Sequence, residues 1–371
     1  MNTGKAPHIL DPRVVYNVLE TYNFLSECSM NASTHLITGG AGFIGCNLAD
    51  YLLARGAQVT IVDNLSRPRT PLNLAWLQER YDNQLRFVQA DIRDAAAMQA
   101  VIPGHHVVYH LAGQVAVTTS VQDPRSDFEI NALGTLNILE AARLAPKPPI
   151  VFFASTNKVY GGMETVAVVE EATRYRYRDL PAGVPEHQLL DFHSPYGCSK
   201  GAADQYVRDY ARIYGLQTVV FRQSCIYGPR QFGVEDQGWA AHFAIAALLG
   251  RPITIYGDGK QVRDMLYVDD LIAAYMAALE RIDQVSGRIY NIGGGPQNAL
   301  SIWAEFGPVL SRLVGREITV RYGDWRPGDQ PVYISDITLA KQELDWQPKV
   351  SVYEGIERMV GWIREHLDLF R

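Results

Sequence analysis

The stretch Gly39-Gly40-Ala41-Gly42-Phe43-Ile44-Gly45 decides the fold. It follows the apolar run His35-Leu36-Ile37-Thr38 and opens a helical pattern that extends from Phe43 to Arg55, so its glycines fall on a strand-to-helix turn. Glycine at 39, 42 and 45 lets the backbone turn tightly, brings a pyrophosphate to the helix N-terminus and lets the helix pack close to the sheet. A second apolar run, Val59-Thr60-Ile61-Val62, ends at Asp63, about 24 residues beyond Gly39. A carboxylate there accepts hydrogen bonds from adenosine ribose hydroxyls and repels a 2′-phosphate. Together the two features predict NAD as cofactor in preference to NADP.

Outward from this unit, short apolar runs keep alternating with helical patterns. Strands are expected at Arg86-Phe87-Val88, at Val107-Val108-Tyr109-His110-Leu111, from Ile150 to Ala154 and from Thr218 to Phe221, with helices from Ala132 to Arg143 and from Ser199 to Tyr214. The expected fold is α/β, a doubly wound parallel sheet wrapped by helices. After Arg222, Pro229, Pro252, Gly257, Gly259, Pro296, Pro327 and Gly328 break the rhythm and predict a smaller α+β lobe that binds substrate. The domain reading is an N-terminal extension over 1–33, a cofactor domain over 34–223 with a return segment near 262–294, and a lobe from 224–261 and 295–371. Within the extension, Asp11 to Glu27 permits a short amphipathic helix, and Met30 is a possible alternative start. The weakly periodic stretch from Gly161 to His193 reads either as a solvated insertion or as a binding element or lid.

Composition narrows the class. The 371 residues are 47% hydrophobic and 20% charged, enough apolar material for a substantial core. With 34 Lys and Arg against 40 Asp and Glu, the net charge of −6 argues against nucleic acid or an anionic membrane as partner. Cys28, Cys46, Cys198 and Cys225 show no Cys-x-x-Cys pairing. No apolar run reaches spanning length, and the start lacks a basic-then-apolar export pattern. A reduced, cytoplasmic protein without a metal site is expected.

Reactive chemistry is placed at Tyr196-Gly197-Cys198-Ser199-Lys200. On a helix this spacing puts phenol and ammonium on one face. An isolated phenol titrates near 10 and is a poor base; a neighbouring ammonium and a cationic nicotinamide both favour its phenolate. A third member is expected from Ala154-Ser155-Thr156-Asn157-Lys158-Val159-Tyr160-Gly161, since hydroxyls at strand ends face the ligand crevice of an open parallel sheet.

These segments, with His110-Leu111-Ala112 and Val262-Arg263-Asp264, resemble the extended short-chain dehydrogenase/reductase family of nucleotide-sugar enzymes, over roughly Thr34 to Arg364. The resemblance implies a Rossmann domain and a catalytic set of Thr156, Tyr196 and Lys200. It implies cofactor contacts from Gly39, Gly42, Phe43, Ile44, Gly45, Asp63, Asn64, Asp91, Ile92, Leu111, Ala112, Gly113, Gln114, Ser155, Tyr196, Lys200 and Gln223. Substrate contacts are implied for Gln114, Asn157, Lys158, Gln231, Arg263 and Arg326, the two arginines gripping a diphosphate. Gly113-Gln114-Val115-Ala116, the run from Asp191 to Tyr206 and Asp236-Gln237-Gly238-Trp239 look like the branch that inverts C2 of CDP-linked deoxyhexoses. The related 4,6-dehydratases carry Asp-Glu after the catalytic threonine. Asn157-Lys158 cannot supply that acid and base, so dehydration is not expected. The resemblance thus implies an isomerase with tightly bound, recycled NAD and a CDP-sugar substrate, a UDP-sugar being possible, in a homo-dimer or homo-tetramer. A UDP-hexose 4-epimerase and a catalytically silent NAD-binding sensor or scaffold stay open beside it.

Overall fold

The computed structural model describes residues 33–371 apart from 82 and 327–328. The expected helix from Asp11 to Glu27 and the alternative start at Met30 lie outside the described residues, as does all of the extension but Ser33.

The strands, in chain order, are β1 (Thr34–Thr38), β2 (Gln58–Asp63), β3 (Leu85–Gln89), β4 (Val107–His110), β5 (Ile150–Thr156), β6 (Val168–Glu170), β7 (Tyr175–Tyr177), β8 (Thr218–Gln223), β9 (Cys225–Tyr227), β10 (Ile253–Tyr256), β11 (Val262–Tyr267), β12 (Arg288–Ile292), β13 (Ala299–Ser301), β14 (Val320–Gly323) and β15 (Val332–Tyr333). Among the described residues seven of them form one parallel sheet in the order β12-β8-β5-β4-β1-β2-β3. Neighbouring residues of its inner strands enter opposite cores. Ile37, Tyr109, Phe152 and Phe221 pack on one face, and Leu36, Val108, Phe153 and Val220 on the other. A strand covered on both faces must be apolar at every position, which is why these segments read as continuous apolar runs. Strand order reverses between β1 and β4, and ligand crevices of such sheets open beyond the strand ends at that point.

Most of the chain after β8 builds the smaller lobe, in which β11 pairs with β13, β15 and β9, and β10 pairs with β14. Of the return segment expected near 262–294, helix Val268–Glu280 and β12 rejoin the large sheet and its core, whereas β11 belongs to the lobe, where its neighbours β13 and β15 lie. Helices Trp239–Leu249, Phe306–Val314 and Val352–Glu365 share its core. Among the described residues no helix is long and apolar enough to cross a membrane.

Two segments differ from expectation. The helix expected at Ser199 spans Ser194–Tyr214, with Pro195 in its first turn, which puts Tyr196 inside it. The glycines at 197 and 201 weaken the helical signal there. Gly201 is needed for packing, because a Cβ on it would stand 2.3 Å from the Phe192 ring. The stretch from Gly161 to His193 has about half of its residues exposed and puts none on the wall of the cleft described below, so it is not a lid over that cleft. It forms the β6–β7 hairpin and ties the lobe to the sheet: Arg174 Nε and Nη2 donate to Glu305 at 2.7 and 2.6 Å, Tyr177 Oη donates to the Val332 carbonyl at 2.7 Å, and Glu186 accepts from the Asn291 amide at 2.8 Å.

Candidate active site

At the switch point β1 and β4 end side by side, and the turn after β1 lies against the backbone that follows β4. Gly39 has φ +69° and would place a Cβ 2.8 Å from the Ala112 backbone, so a side chain there is excluded twice over. A Cβ on Gly45 would stand 2.4 Å from the Gly39 carbonyl, which fixes how closely helix Phe43–Leu53 approaches the turn. Gly42 caps that helix without a side-chain hydrogen bond, and no acidic residue stands in its first turn. Its N-terminal N–H groups and dipole are therefore free to meet an anion.

The cleft opening here, about 550 Å³, is of ligand-binding size. Its wall includes Gly39, Gly42, Phe43, Ile44, Gly45, Asp63, Asn64, Asp91, Ile92, Leu111, Ala112, Gly113, Gln114, Ser155, Thr156, Tyr196, Lys200, Gln223 and Gln231. Asp63 closes β2 and accepts from the Ala41 amide at 3.1 Å and the Leu65 amide at 2.8 Å. Burial pushes its pKa up while those two amides resist. Asp91 is held down at about 2, chiefly by the Arg93 guanidinium, and it also accepts from Asn64 at 2.9 Å. A dinucleotide fits this end: an uncapped helix start for its pyrophosphate and an anchored carboxylate for a ribose.

The other end carries the reactive groups. Tyr196, 7% exposed, lies in the first turn of its helix. Burial raises its phenol pKa, and a hydrogen bond with Thr156 opposes the rise. The Thr156 hydroxyl, at the end of β5, accepts from the Lys158 amide at 3.2 Å. Lys200 Nζ donates to the Ala154 carbonyl at 2.6 Å and sits 4.1 Å from the centre of the Phe153 ring. Burial pulls its ammonium pKa down to about 7, with the Asp204 and Asp127 carboxylates resisting. Beneath this group, Asp204 accepts both Arg222 Nε at 2.9 Å and Nη2 at 3.0 Å, together with Ser155 Oγ at 2.7 Å.

Sequence reasoning missed the support behind Tyr196 and Lys200. Between helices Pro124–Phe128 and Gly134–Arg143 lies a single π turn, Glu129–Leu133, a distortion that recurs at functional sites. It presents Asn131, whose side chain accepts from the Gln114 amide at 2.9 Å and donates to the Gln114 carbonyl at 3.1 Å. His110 bridges Thr38 at 2.8 Å and Thr135 at 2.9 Å, and burial with the nearby Lys200 lowers its pKa to about 3, so it is neutral. Asn131, a poor helix former inside an apolar helical pattern before Gly134, was the available signal.

Four residues with an expected substrate role are not on the cleft wall. Asn157 accepts from Thr156 Oγ1 at 3.3 Å. Lys158 Nζ reaches Gln330 Oε1 at 3.5 Å, and burial lowers its pKa to about 8. Arg263 is paired with Asp329 at 2.5 Å. Arg326 lies 3.4 Å from Asp236 and 3.5 Å from Glu235, over the Tyr256 ring. For either arginine to grip a diphosphate, it must exchange a carboxylate partner for phosphate.

A family model described as GDP-mannose 4,6 dehydratase matches residues 36–359. CDP-paratose 2-epimerase of Salmonella typhi is 45% identical over 334 residues, 88% of this chain and 98% of the relative. Among solved structures, UDP-glucose 4-epimerase of Thermotoga maritima with UDP-glucose is 33% identical at a TM-score of 0.77, covering 90% of this chain and 99% of its own. The dTDP-glucose 4,6-dehydratase of Streptomyces venezuelae with NAD bound is 30% identical at a TM-score of 0.77, covering 90% and 98%. With a match across the whole sheet and most of the lobe, the chain belongs to the GDP-mannose 4,6 dehydratase family of extended short-chain dehydrogenases/reductases.

Proposed function

We propose that this chain is an NAD-dependent nucleotide-sugar epimerase that inverts C2 of a CDP-linked dideoxyhexose, converting CDP-paratose to CDP-tyvelose. The observation that carries the reading is the 45% identity to CDP-paratose 2-epimerase over nearly the whole of both chains. Asn157-Lys158 after Thr156 supports it against dehydration, since an amide and an ammonium do not make a carboxylate acid–base pair.

Bound NAD would supply the acceptor for the hydrogen and electron pair that leave carbon and would return them to the opposite face. The residues proposed to hold it are those of the cleft wall from Gly39 to Gly45, with Asp63 at the ribose. Tyr196 takes the proton from the sugar hydroxyl, Lys200 favours the phenolate, and Thr156 holds the reacting oxygen by a hydrogen bond. Paratose has no hydroxyl at C3, so a 3-ketone that would acidify the C2 hydrogen cannot form, and oxidation falls at C2 itself. The sugar must then turn over between the two half-steps while the nucleotide stays anchored.

The test is incubation of purified protein with CDP-paratose in D₂O without added cofactor. The expected product is inverted at C2 and carries no deuterium there, because the hydrogen leaving C2 never rests on a group that exchanges with water. Deuterium at C2 would mean a proton-transfer epimerisation. Inversion at C4 of a UDP-hexose, with CDP-paratose untouched, would establish the 4-epimerase reading that the Thermotoga maritima relative supports.

A homo-dimer or homo-tetramer is also proposed. Ala203 and Val207 of helix Ser194–Tyr214 pack into the sheet's own core, so they do not serve an interface. Phe128, Tyr206 and Ile213, in contrast, are 56%, 51% and 66% exposed on this helix and its neighbour, a large apolar display for a monomer surface. Light scattering at micromolar concentration should give a multiple of the chain mass; a monomer would refute the proposal.

A further inference from the structure

Asp127, on helix Pro124–Phe128, is completely buried and has no ion pair among the described residues. Its Oδ2 accepts from Ser199 Oγ at 2.5 Å and its Oδ1 from Asn131 Nδ2 at 3.2 Å. Ser199 directly precedes Lys200 and is itself bonded to Asn131 Nδ2 at 3.1 Å. Asp204, the other carboxylate felt by Lys200, is already matched by Arg222. A buried carboxylate without a bonded cation is costly to keep: burial raises the Asp127 pKa, the Ser199 hydrogen bond and the nearby Lys200 ammonium hold it down, and its charge acts in turn on what titrates nearby.

We propose that Asp127 is a positioning residue for this site: held by Ser199 and Asn131, it is the uncompensated negative charge that keeps Lys200 an ammonium beside Tyr196. The charged groups acting on the pair are Asp127, Asp204 bound to Arg222, and Arg67; His110 is buried and neutral. A negative charge opposes loss of a proton from an ammonium and from a phenol alike, so Asp127 raises both titrations. The pair is active as phenolate with ammonium. Removing the charge therefore lowers the pH at which the phenolate forms and also the pH at which the ammonium is lost, moving the active window toward acid with both limbs together. Loss of packing alone would lower the height of the window without displacing it.

The role in turnover rests on the proposed epimerase chemistry, whereas the ionisation of Tyr196 is read without substrate. In the NAD-loaded protein, near-ultraviolet difference absorbance between each protein and its Tyr196→Phe counterpart isolates the Tyr196 titration. Asp127→Asn and Asp127→Ser should each lower its midpoint by roughly half a pH unit or more, and Asp127→Glu should restore it. If one neutral variant does not fold, the other carries the reading. Where CDP-paratose is turned over, both limbs of the kcat/KM profile should shift to acid by a similar amount. A midpoint unmoved or raised in the neutral variants overturns the proposal, even if turnover falls. A lowered midpoint in a protein that fails to epimerise any CDP-, UDP- or dTDP-sugar upholds the electrostatic role and removes the proposed function instead.

Discussion

Tyr196→Phe is expected to cut turnover by about 10²–10⁴-fold, the usual worth of a positioned acid–base group, while fold and bound NAD persist. The substitution deletes one hydroxyl from a side chain that is 7% exposed, leaving the ring and its packing in place. Catalysis loses what no neighbour can supply. Thr156 does not ionise in the working range, and Lys200 is committed to the Ala154 carbonyl in a low-dielectric pocket. The buried phenol is a weaker acid than a free one, so the ammonium and the cofactor's positive charge must act together to reach its phenolate near neutral pH. Turnover should be measured beside circular dichroism and the mass of released nucleotide. A variant retaining more than a tenth of the wild-type rate with its cofactor in place would show that another group moves the proton.

How much of this was legible in sequence depended on the range of the interaction. The turn from Gly39 to Gly45 could be read because its requirements are local: a turn, a helix start and a close approach each demand glycine at a fixed offset. Tyr196 and Lys200 could be paired because helical geometry alone puts them on one face. The support behind them could not be read the same way. Asp127 and Asn131 stand one turn apart on adjoining helical segments, but Ser199 reaches Asp127 from 72 residues further along the chain, and a lone aspartate after Asp123-Pro124 reads as a solvated helix start. His110 looked like part of a motif, but its bonds to Thr38 and Thr135 arise from strand register and from a π turn, for which no simple periodicity exists. A two-turn helix such as Ala95–Val101 carries too few periodic positions to stand out from the loops around it. Arg263 and Arg326 show the limit from the other side: the resemblance assigned them a ligand, and each is found holding a carboxylate.

Asp204→Ala is expected to cost about 3–5 kcal/mol of stability, the penalty for leaving a buried charge without its partner. Asp204 and Arg222 are 0% and 2% exposed, far from the surface pairs whose worth is small. The guanidinium's remaining contacts, Tyr160 Oη at 3.0 Å and the Glu186 carbonyl at 3.2 Å, are neutral and cannot balance its charge. Ser155 Oγ would lose its acceptor at the same time. The effect should spread beyond one contact, since this pair joins helix Ser194–Tyr214 to β8 and, through Tyr160 and Glu186, to the segment that ties down the lobe. Urea unfolding at fixed NAD concentration measures it, and a loss below about 1 kcal/mol would place the pair among surface bridges. The double variant Asp204→Leu with Arg222→Met separates charge burial from packing, because replacing both ions with apolar side chains of similar size is often neutral. It should recover most of the stability lost by the single variant. Turnover need not follow, since Lys200 also feels the Asp204 carboxylate; a stable double variant with a depressed rate would show that the pair supports the reaction as well as the fold.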